Sequence, residues 1–224
     1  MRMRKKKNLE ARLEAVGDML FISDSPDRNF NTAVIDKAYI DLKAWFNNDN
    51  PVFLEIGCGK GKFACEYAKS HPEINLLAVE KNSNVIVQAC EAAKNAEVKN
   101  LRFMKCGAEY LEKYLKENSV DRIFLNFSCP FPKNSYASHR LTHKNFLEIY
   151  KRILKDGGGI FFKTDNRGLF DFSLEEFKNF GMRTEKLTYD LHNSEYMDGN
   201  VMTEYEKRFS SMGVPINRVE CYFE

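Results

Sequence analysis

The strongest constraint on this chain is the apolar run Val52-Phe-Leu-Glu-Ile56, which leads directly into three alternating glycines, Gly57, Gly59 and Gly61. A strand ending in such a turn lets the backbone reverse tightly and approach a ligand that a Cβ would hold off. A second short apolar run, 75–80, ends in Glu80. A carboxylate at a strand end can accept hydrogen bonds from both hydroxyls of a ribose. The two segments together read as an adenosine-type cofactor site in a parallel α/β sheet.

The glycine spacing is G-x-G-x-G and not the dinucleotide pattern G-x-G-x-x-G, so the turn is not built to cradle a pyrophosphate. Glu55, just before the glycines, repels a pyrophosphate but suits a sulfonium and an α-ammonium group. S-adenosylmethionine is the cofactor expected. A glycine turn alone is also an ordinary strand-to-helix connection, so Glu55 and Glu80 carry the reading.

Hydrophobic periodicity repeats the same unit along the chain. Strands are expected at Val52–Ile56, 75–80, Leu101–Lys105, 121–127, 159–164, 182–187 and Asn217–Phe223, with helices at 62–71, 84–95, 109–116, 145–154 and 169–180. A further helical stretch spans 36–46. Alternation of this kind gives βαβ units. The fold class expected is α/β: a Rossmann-like, mostly parallel seven-stranded sheet with helices on both faces. A long polar segment before the last strand allows that strand to enter antiparallel. We expect one domain over 31–224, preceded by a basic extension over 1–30.

A hydrophobic fraction of 43% and a charged fraction of 29% are those of a soluble protein. No apolar run approaches the roughly 18 residues a membrane span needs. The start, Met1-Arg-Met-Arg-Lys-Lys-Lys7, has the charge of a leader, but Glu10, Arg12, Glu14 and Asp18 break up the stretch where a leader's apolar core would lie. The cysteines Cys58, Cys65, Cys90, Cys106, Cys129 and Cys221 form no C-x-x-C pair and have no histidine at metal-ligand spacing. No metal is expected, and a reducing cytoplasm fits the thiols. The net charge of +2 announces no polyanion partner, but the run Arg2, Arg4, Lys5, Lys6, Lys7 can reach phosphates.

Ligands of such sheets sit beyond the carboxyl ends of the strands. Asn126-Phe-Ser-Cys-Pro-Phe-Pro-Lys133 follows the fourth expected strand and makes a stiff aromatic loop suited to a flat base, with Lys133 able to hold a phosphate or base acceptor. His139, Arg140, His143, Lys144, Lys151 and Arg152 make a basic strip after it. Asp165 ends the fifth expected strand, and Thr203-Glu-Tyr-Glu206 sits in a polar loop before the last. Two acidic groups facing a purine suit guanine, whose N1–H and exocyclic amine both donate. They also stabilise the positive charge that forms when a guanine nitrogen is alkylated. Asp165 can equally serve an Asx-type turn, and Glu206 a surface salt bridge.

The chain resembles the bacterial tRNA (guanine-N7-)-methyltransferase family over nearly its whole length. The resemblance rests on Glu55-Ile-Gly-Cys-Gly-Lys-Gly61, Glu80, Asn126-Phe-Ser, Pro130, Pro132-Lys133, Arg140-Leu-Thr142, Lys163-Thr-Asp-Asn-Arg-Gly168, Asp190-Leu-His-Asn193 and Thr203-Glu-Tyr-Glu206. It implies methyl transfer from S-adenosylmethionine to N7 of a guanosine in the tRNA variable loop. Glu55, Gly57, Gly59, Glu80, Gly107 and Cys129 fall at the family's cofactor contacts. Lys133, Arg140, Asp165, Thr203, Glu204, Tyr205 and Glu206 fall at its substrate contacts. Asp165 and Cys129 take the catalytic places.

Two positions depart from the family pattern. Cys129 stands where N-F-x-D-P-W carries Asp, and Gly107 stands where the family tends to carry an acid or amide able to meet the adenine. N7 carries no proton, so no general base is required and the displacement depends mainly on proximity and alignment. The resemblance therefore implies an enzyme slowed rather than silenced, with tRNA as its partner, as a monomer or homodimer. A tRNA-binding homologue without catalysis is the alternative. A small-molecule methyltransferase is disfavoured, because no insert covers a small substrate.

Overall fold

A computed structural model describes residues 7–23 and 36–224. The basic run from Arg2 to Lys6 lies outside the described residues. The chain divides between Lys116 and Glu117 into two compact units. Eight strands are present among the described residues, one more than the periodicity suggests.

The first unit holds α1 (Leu9–Glu14), β1 (Leu20–Ile22), α2 (Leu42–Phe46), β2 (Val52–Ile56), α3 (Lys62–Ser70), β3 (Asn75–Val79), α4 (Ser83–Asn95), β4 (Leu101–Lys105) and α5 (Leu111–Tyr114). Its strands lie in the order β1-β4-β3-β2, all parallel. β3 is buried at every position, as a parallel strand flanked on both sides must be. The additional strand is β1, which pairs Leu20 with Phe103 and Ile22 with Lys105. Three residues are too few to show an alternation, so pairing alone reveals it.

α4 buries Ile86, Val87, Ala89, Cys90 and Ala93, one stripe of a 3.6-residue period, and the Asn82 side chain caps it by accepting from the Asn84 N–H at 2.9 Å. α3 starts at Gly61, where a Cβ would stand 2.7 Å from Ala89 Cβ. The third glycine of the turn thus serves helix packing. The stretch expected as a helix over 36–46 is helical only from Leu42, where the Asp41 carboxylate accepts from the Ala44 N–H at 3.0 Å. Residues before it give their N–H groups to another segment, Ala38 to Lys113 O and Ile40 to Tyr114 O. The helix expected over 109–116 is a single 3-10 turn, Ala108–Tyr110, followed by the short α5.

The second unit holds β5 (Val120–Asn126), α6 (Lys144–Ile153), β6 (Leu154–Thr164), α7 (Arg167–Asn179), β7 (Met182–Thr188), α8 (Glu204–Ser211) and β8 (Asn217–Phe223). β5 and β6 run parallel, and β8 enters antiparallel between β6 and β7, as the long segment before it allows. Phe162 stacks on Phe170 at 5.9 Å and meets Phe177 edge-on at 6.4 Å, packing α7 on the sheet. α8 replaces the polar loop expected there. No described helix is long and apolar enough to cross a membrane.

Candidate active site

In the first unit, Glu55 is 2% exposed near the end of β2, and the chain then turns through Gly57 at φ 83° and Gly59 at φ 57°. Both glycines are in the left-handed region, and a Cβ on either would meet nothing within 4 Å. Open space lies beside a turn that glycine adopts without steric cost. Gly57 N–H and Cys58 N–H both donate to Val79 O, at 2.8 and 3.0 Å, which ties the turn to the end of β3. Glu80 follows directly. Its Oε1 accepts from the Asn82 N–H at 2.8 Å, and among the described residues nothing donates to Oε2. Burial, reinforced by Glu55 and Glu80, holds the Cys58 thiol well above its usual range, so it remains a neutral thiol between two carboxylates.

In the second unit, β5 ends at Asn126, and the loop after it contains two phenylalanines with positive φ, Phe127 at 51° and Phe131 at 41°. Neither is a residue that takes this region freely, so the surroundings must hold the loop. Arg140 does so. Its Nε donates to Pro130 O at 3.1 Å, a terminal nitrogen donates to Phe131 O at 3.0 Å, and the guanidinium lies over Phe172 at 4.3 Å. At 8% exposure it is buried in this clamp. Arg140, expected at a substrate contact, turns two of its donors toward the protein's own carbonyls. Lys133 is exposed and makes no side-chain bond to a described residue, and Cys129 is the exposed thiol of the loop.

Asp165 follows β6. The turn into α7 is closed by its neighbours, with Thr164 Oγ1 accepting from the Asn166 N–H at 3.1 Å and Asn166 Oδ1 accepting from the Leu169 N–H at 2.8 Å. The half-buried Asp165 carboxylate is therefore spared the turn, and no described residue bonds to it.

Glu206 behaves differently from the expectation that it faces a purine edge. It is 0% exposed, and its oxygens receive Lys163 Nζ at 2.8 Å and Asn200 Nδ2 at 2.6 Å, with His192 Nε2 at 3.1 Å. Burial alone would raise its carboxyl; the Lys163 charge and the bonds from Lys163, Asn200 and His192 outweigh it and hold it below the ordinary value. Thr203, 7% exposed, closes a capping box with it at the start of α8. The inward pair Thr203 and Glu206 sets the helix, and Glu204 and Tyr205 face outward. Tyr205, 57% exposed, stacks on Phe127 at 6.3 Å with an 18° interplanar angle.

A family model described as "Putative methyltransferase" matches residues 49–219. The tRNA (guanine-N(7)-)-methyltransferase of Macrococcus caseolyticus is 44% identical over 80% of this chain and 85% of its own. The enzyme of the same name from Lachnoclostridium phytofermentans is 47% identical over 80% of this chain and 84% of its own. The chain belongs to the tRNA (guanine-N(7)-)-methyltransferase family.

A solved structure titled "Structure of an Antibiotic Related Methyltransferase" shares the fold, with a TM-score of 0.60 at 17% identity over 84% of this chain and 98% of that one. The fold is the Rossmann-like α/β fold of S-adenosylmethionine-dependent methyltransferases, the class to which this family belongs. The first unit suits that cofactor. Open space at Gly57 and Gly59 admits a close ligand, and the unoccupied Oε2 of Glu80 is an acceptor for a ribose hydroxyl. Among the described residues no cluster of His, Cys, Asp or Glu is arranged to hold a metal ion.

Three residues escaped the sequence reading as site elements. Lys163 was visible only as part of a motif, because nothing local shows that a strand lysine meets a helix carboxylate 43 positions later. Ser128 Oγ is buried with no partner among the described residues, beside Cys129. Glu109 folds onto Gly107. The helical start at Thr203 did carry a signal, T-x-x-E, which is the capping-box pattern.

Proposed function

We propose that this protein transfers the methyl group of S-adenosylmethionine to N7 of a guanosine in tRNA, at the variable loop. The observation that carries the reading is the relationship to two enzymes of that name at 44% and 47% identity over four-fifths of the chain. When bound, the cofactor supplies a methyl group on a sulfonium, which N7 attacks through its own lone pair without losing a proton. Cofactor contacts are assigned to Glu55, Gly57, Gly59, Glu80 and Gly107 in the first unit. Buried Glu55 offers negative charge to the cationic groups, and Glu80 holds the ribose.

Substrate contacts are assigned to residues of the second unit. Asp165 accepts from the N1–H and exocyclic amine of guanine and balances the charge that appears on the ring at N7. Tyr205, broad and exposed, offers a face for a base to stack on. Exposed Lys133 takes a phosphate, and Glu204 lies at the same outward edge. Thr203, Glu206 and Arg140 hold these groups in place. Cys129 occupies a catalytic position as a thiol, a weak donor where a carboxylate would orient substrate or cofactor more strongly. The catalytic domain is assigned to 31–224, with 1–30 as a basic extension that meets tRNA in the cytoplasm.

Unmodified tRNA incubated with methyl-labelled cofactor, then reduced and treated with aniline, tests this assignment. Strand scission at one variable-loop guanosine is expected. Label in tRNA without scission would contradict N7. Cofactor binding without any label would favour the second reading, a tRNA-binding protein without catalysis, to which the Cys129 thiol points.

A further inference from the structure

α8 is docked by its polar side. Of its eight residues Glu206 alone is buried, held by Lys163 Nζ, Asn200 Nδ2 and His192 Nε2. The apolar residues point the other way. Tyr205, Phe209 and Met212 lie at i, i+4 and i+7, which is one stripe of the helix. Tyr205 is 57% exposed and Met212 64%, and Phe209 is half-buried. A surface helix ordinarily shows the reverse, with its apolar stripe on the core. Single exposed apolar residues are common, but a row of them on a helix held by an ion pair marks a contact surface.

The row continues past the helix. Phe127, in the loop that follows β5 and carries Cys129, stacks on Tyr205 at 6.3 Å with an interplanar angle of 18°. Tyr205 in turn stacks on Phe209 at 6.3 Å and 21°. Three rings therefore follow one another with their faces turned nearly the same way. Phe127 joins this row at φ 51°, a region that a phenylalanine takes only when its surroundings hold it there. Lys207 and Arg208 are exposed beside the stripe, against one exposed acid of α8, Glu204.

Aromatic faces in a row with cations at their flank hold single-stranded nucleic acid. Each base stacks whatever its identity, and the cations meet the linking phosphates. An apolar protein partner would bury the stripe as well, but the parallel rings and the flanking cations favour RNA. We infer that Phe127, Tyr205 and Phe209 form a stacking track for unpaired bases that flank the methylated nucleotide, with Met212 beyond them and Arg208 on a phosphate. The inference rests on RNA being the substrate, and it extends the base contact assigned to Tyr205 into a row.

Filter binding of unmodified tRNA over a salt series tests it without turnover. Phe209→Leu keeps apolar bulk and loses the ring. It should weaken binding by about tenfold at every salt concentration and leave the slope unchanged, because no charge is removed. Phe209→Trp should bind at least as tightly as the native protein. Arg208→Met should lower the slope of log K against log salt by about 0.7. A single-stranded hexaribonucleotide carrying 2-aminopurine should have its fluorescence quenched by the native protein and not by Phe209→Leu. If Phe209→Leu does not fold, Tyr205→Leu, at an exposed position, is read in its place. Native tRNA affinity in a folded ring-deleted variant would overturn the inference and leave N7 transfer standing. A native dimer that Met212→Ser splits, with tRNA affinity unchanged, would give the stripe to a second copy of the chain instead. A native protein that neither binds nor labels tRNA would overturn the tRNA reading, and this inference with it.

Discussion

Lys163 on β6 and Glu206 at the start of α8 form a buried ion pair at 2.8 Å, with side-chain exposures of 9% and 0%. The lysine also donates to Asn200 Oδ1 at 2.8 Å and Val201 O at 3.1 Å, so it gathers the whole approach to α8 onto the sheet. Through this pair the strand that leads into Asp165 fixes the helix that presents Glu204 and Tyr205. The carboxylate that sequence places beside a purine is thus an anchor behind the surface.

Removing one partner leaves the other charged and buried. Lys163→Met or Glu206→Gln should each cost about 3–5 kcal/mol of stability. The double variant Lys163→Met with Glu206→Leu should cost much less than the sum, because no orphaned charge remains. Urea unfolding midpoints of the three proteins check this. Additive losses would show that the two side chains act independently.

The same carboxylate sets an acid dependence. Its folded-state pKa lies below the ordinary value, so its contribution is complete above the unfolded carboxylate pKa of about 4.3 and is lost as pH falls through the lower folded value. Unfolding free energy measured from pH 6 downward should decline below about pH 5. Glu206→Gln should be less stable at pH 6 and decline less steeply over the same interval. Parallel curves for the two proteins would contradict the assignment.

Arg140 is buried against the Pro130 and Phe131 carbonyls, which separates loop support from phosphate contact. Arg140→Met should destabilise the protein by about 2–4 kcal/mol, since bonds from a charged donor are each worth about 1.5–3. The salt dependence of tRNA binding should keep its slope, because no phosphate contact is removed. Lys133→Met should do the reverse, lowering the slope of log K against log salt by about 0.7–0.9 with little change in stability. Filter binding over a salt series distinguishes the two, and a reduced slope for Arg140→Met would return it to the substrate contacts.

Asp165 has no bond from a described residue, so Asp165→Asn should leave the melting temperature within about a degree or two of native. It should lower kcat/KM for tRNA by about 10- to 100-fold, the effect of losing one charge-assisted contact in the transition state. Single-turnover methylation checks this. A large fall in melting temperature with native kcat/KM would make Asp165 structural.

Cys129 is exposed in a loop held by other residues, so Cys129→Asp should fit without rearrangement. Turnover should rise by about tenfold if the carboxylate regains an orienting bond worth about 1.4 kcal/mol or more. An unchanged or lower rate would show a pocket adapted to the thiol.

The alternating strands, the glycine turn and the acids at strand ends were legible in the chain, because each depends on a local period or a local steric need. Val52–Ile56 into Gly57 and Gly59, and 75–80 into Glu80, state their positions within a few residues. α8 carried a local sign in Thr203 and Glu206, the T-x-x-E capping pattern, but the polarity of the segment gave the expectation of a loop. Residues far apart in sequence were different. That Glu206 turns inward to Lys163, that Arg140 spends its donors on a strained loop, and that Glu109 fills the space above Gly107 depend on which groups the fold brings within about 3 Å of each other, the reach of a hydrogen bond. A charged side chain reads the same in sequence whether it meets water, substrate or a buried partner, because the desolvation that separates these cases exists only once the chain has folded.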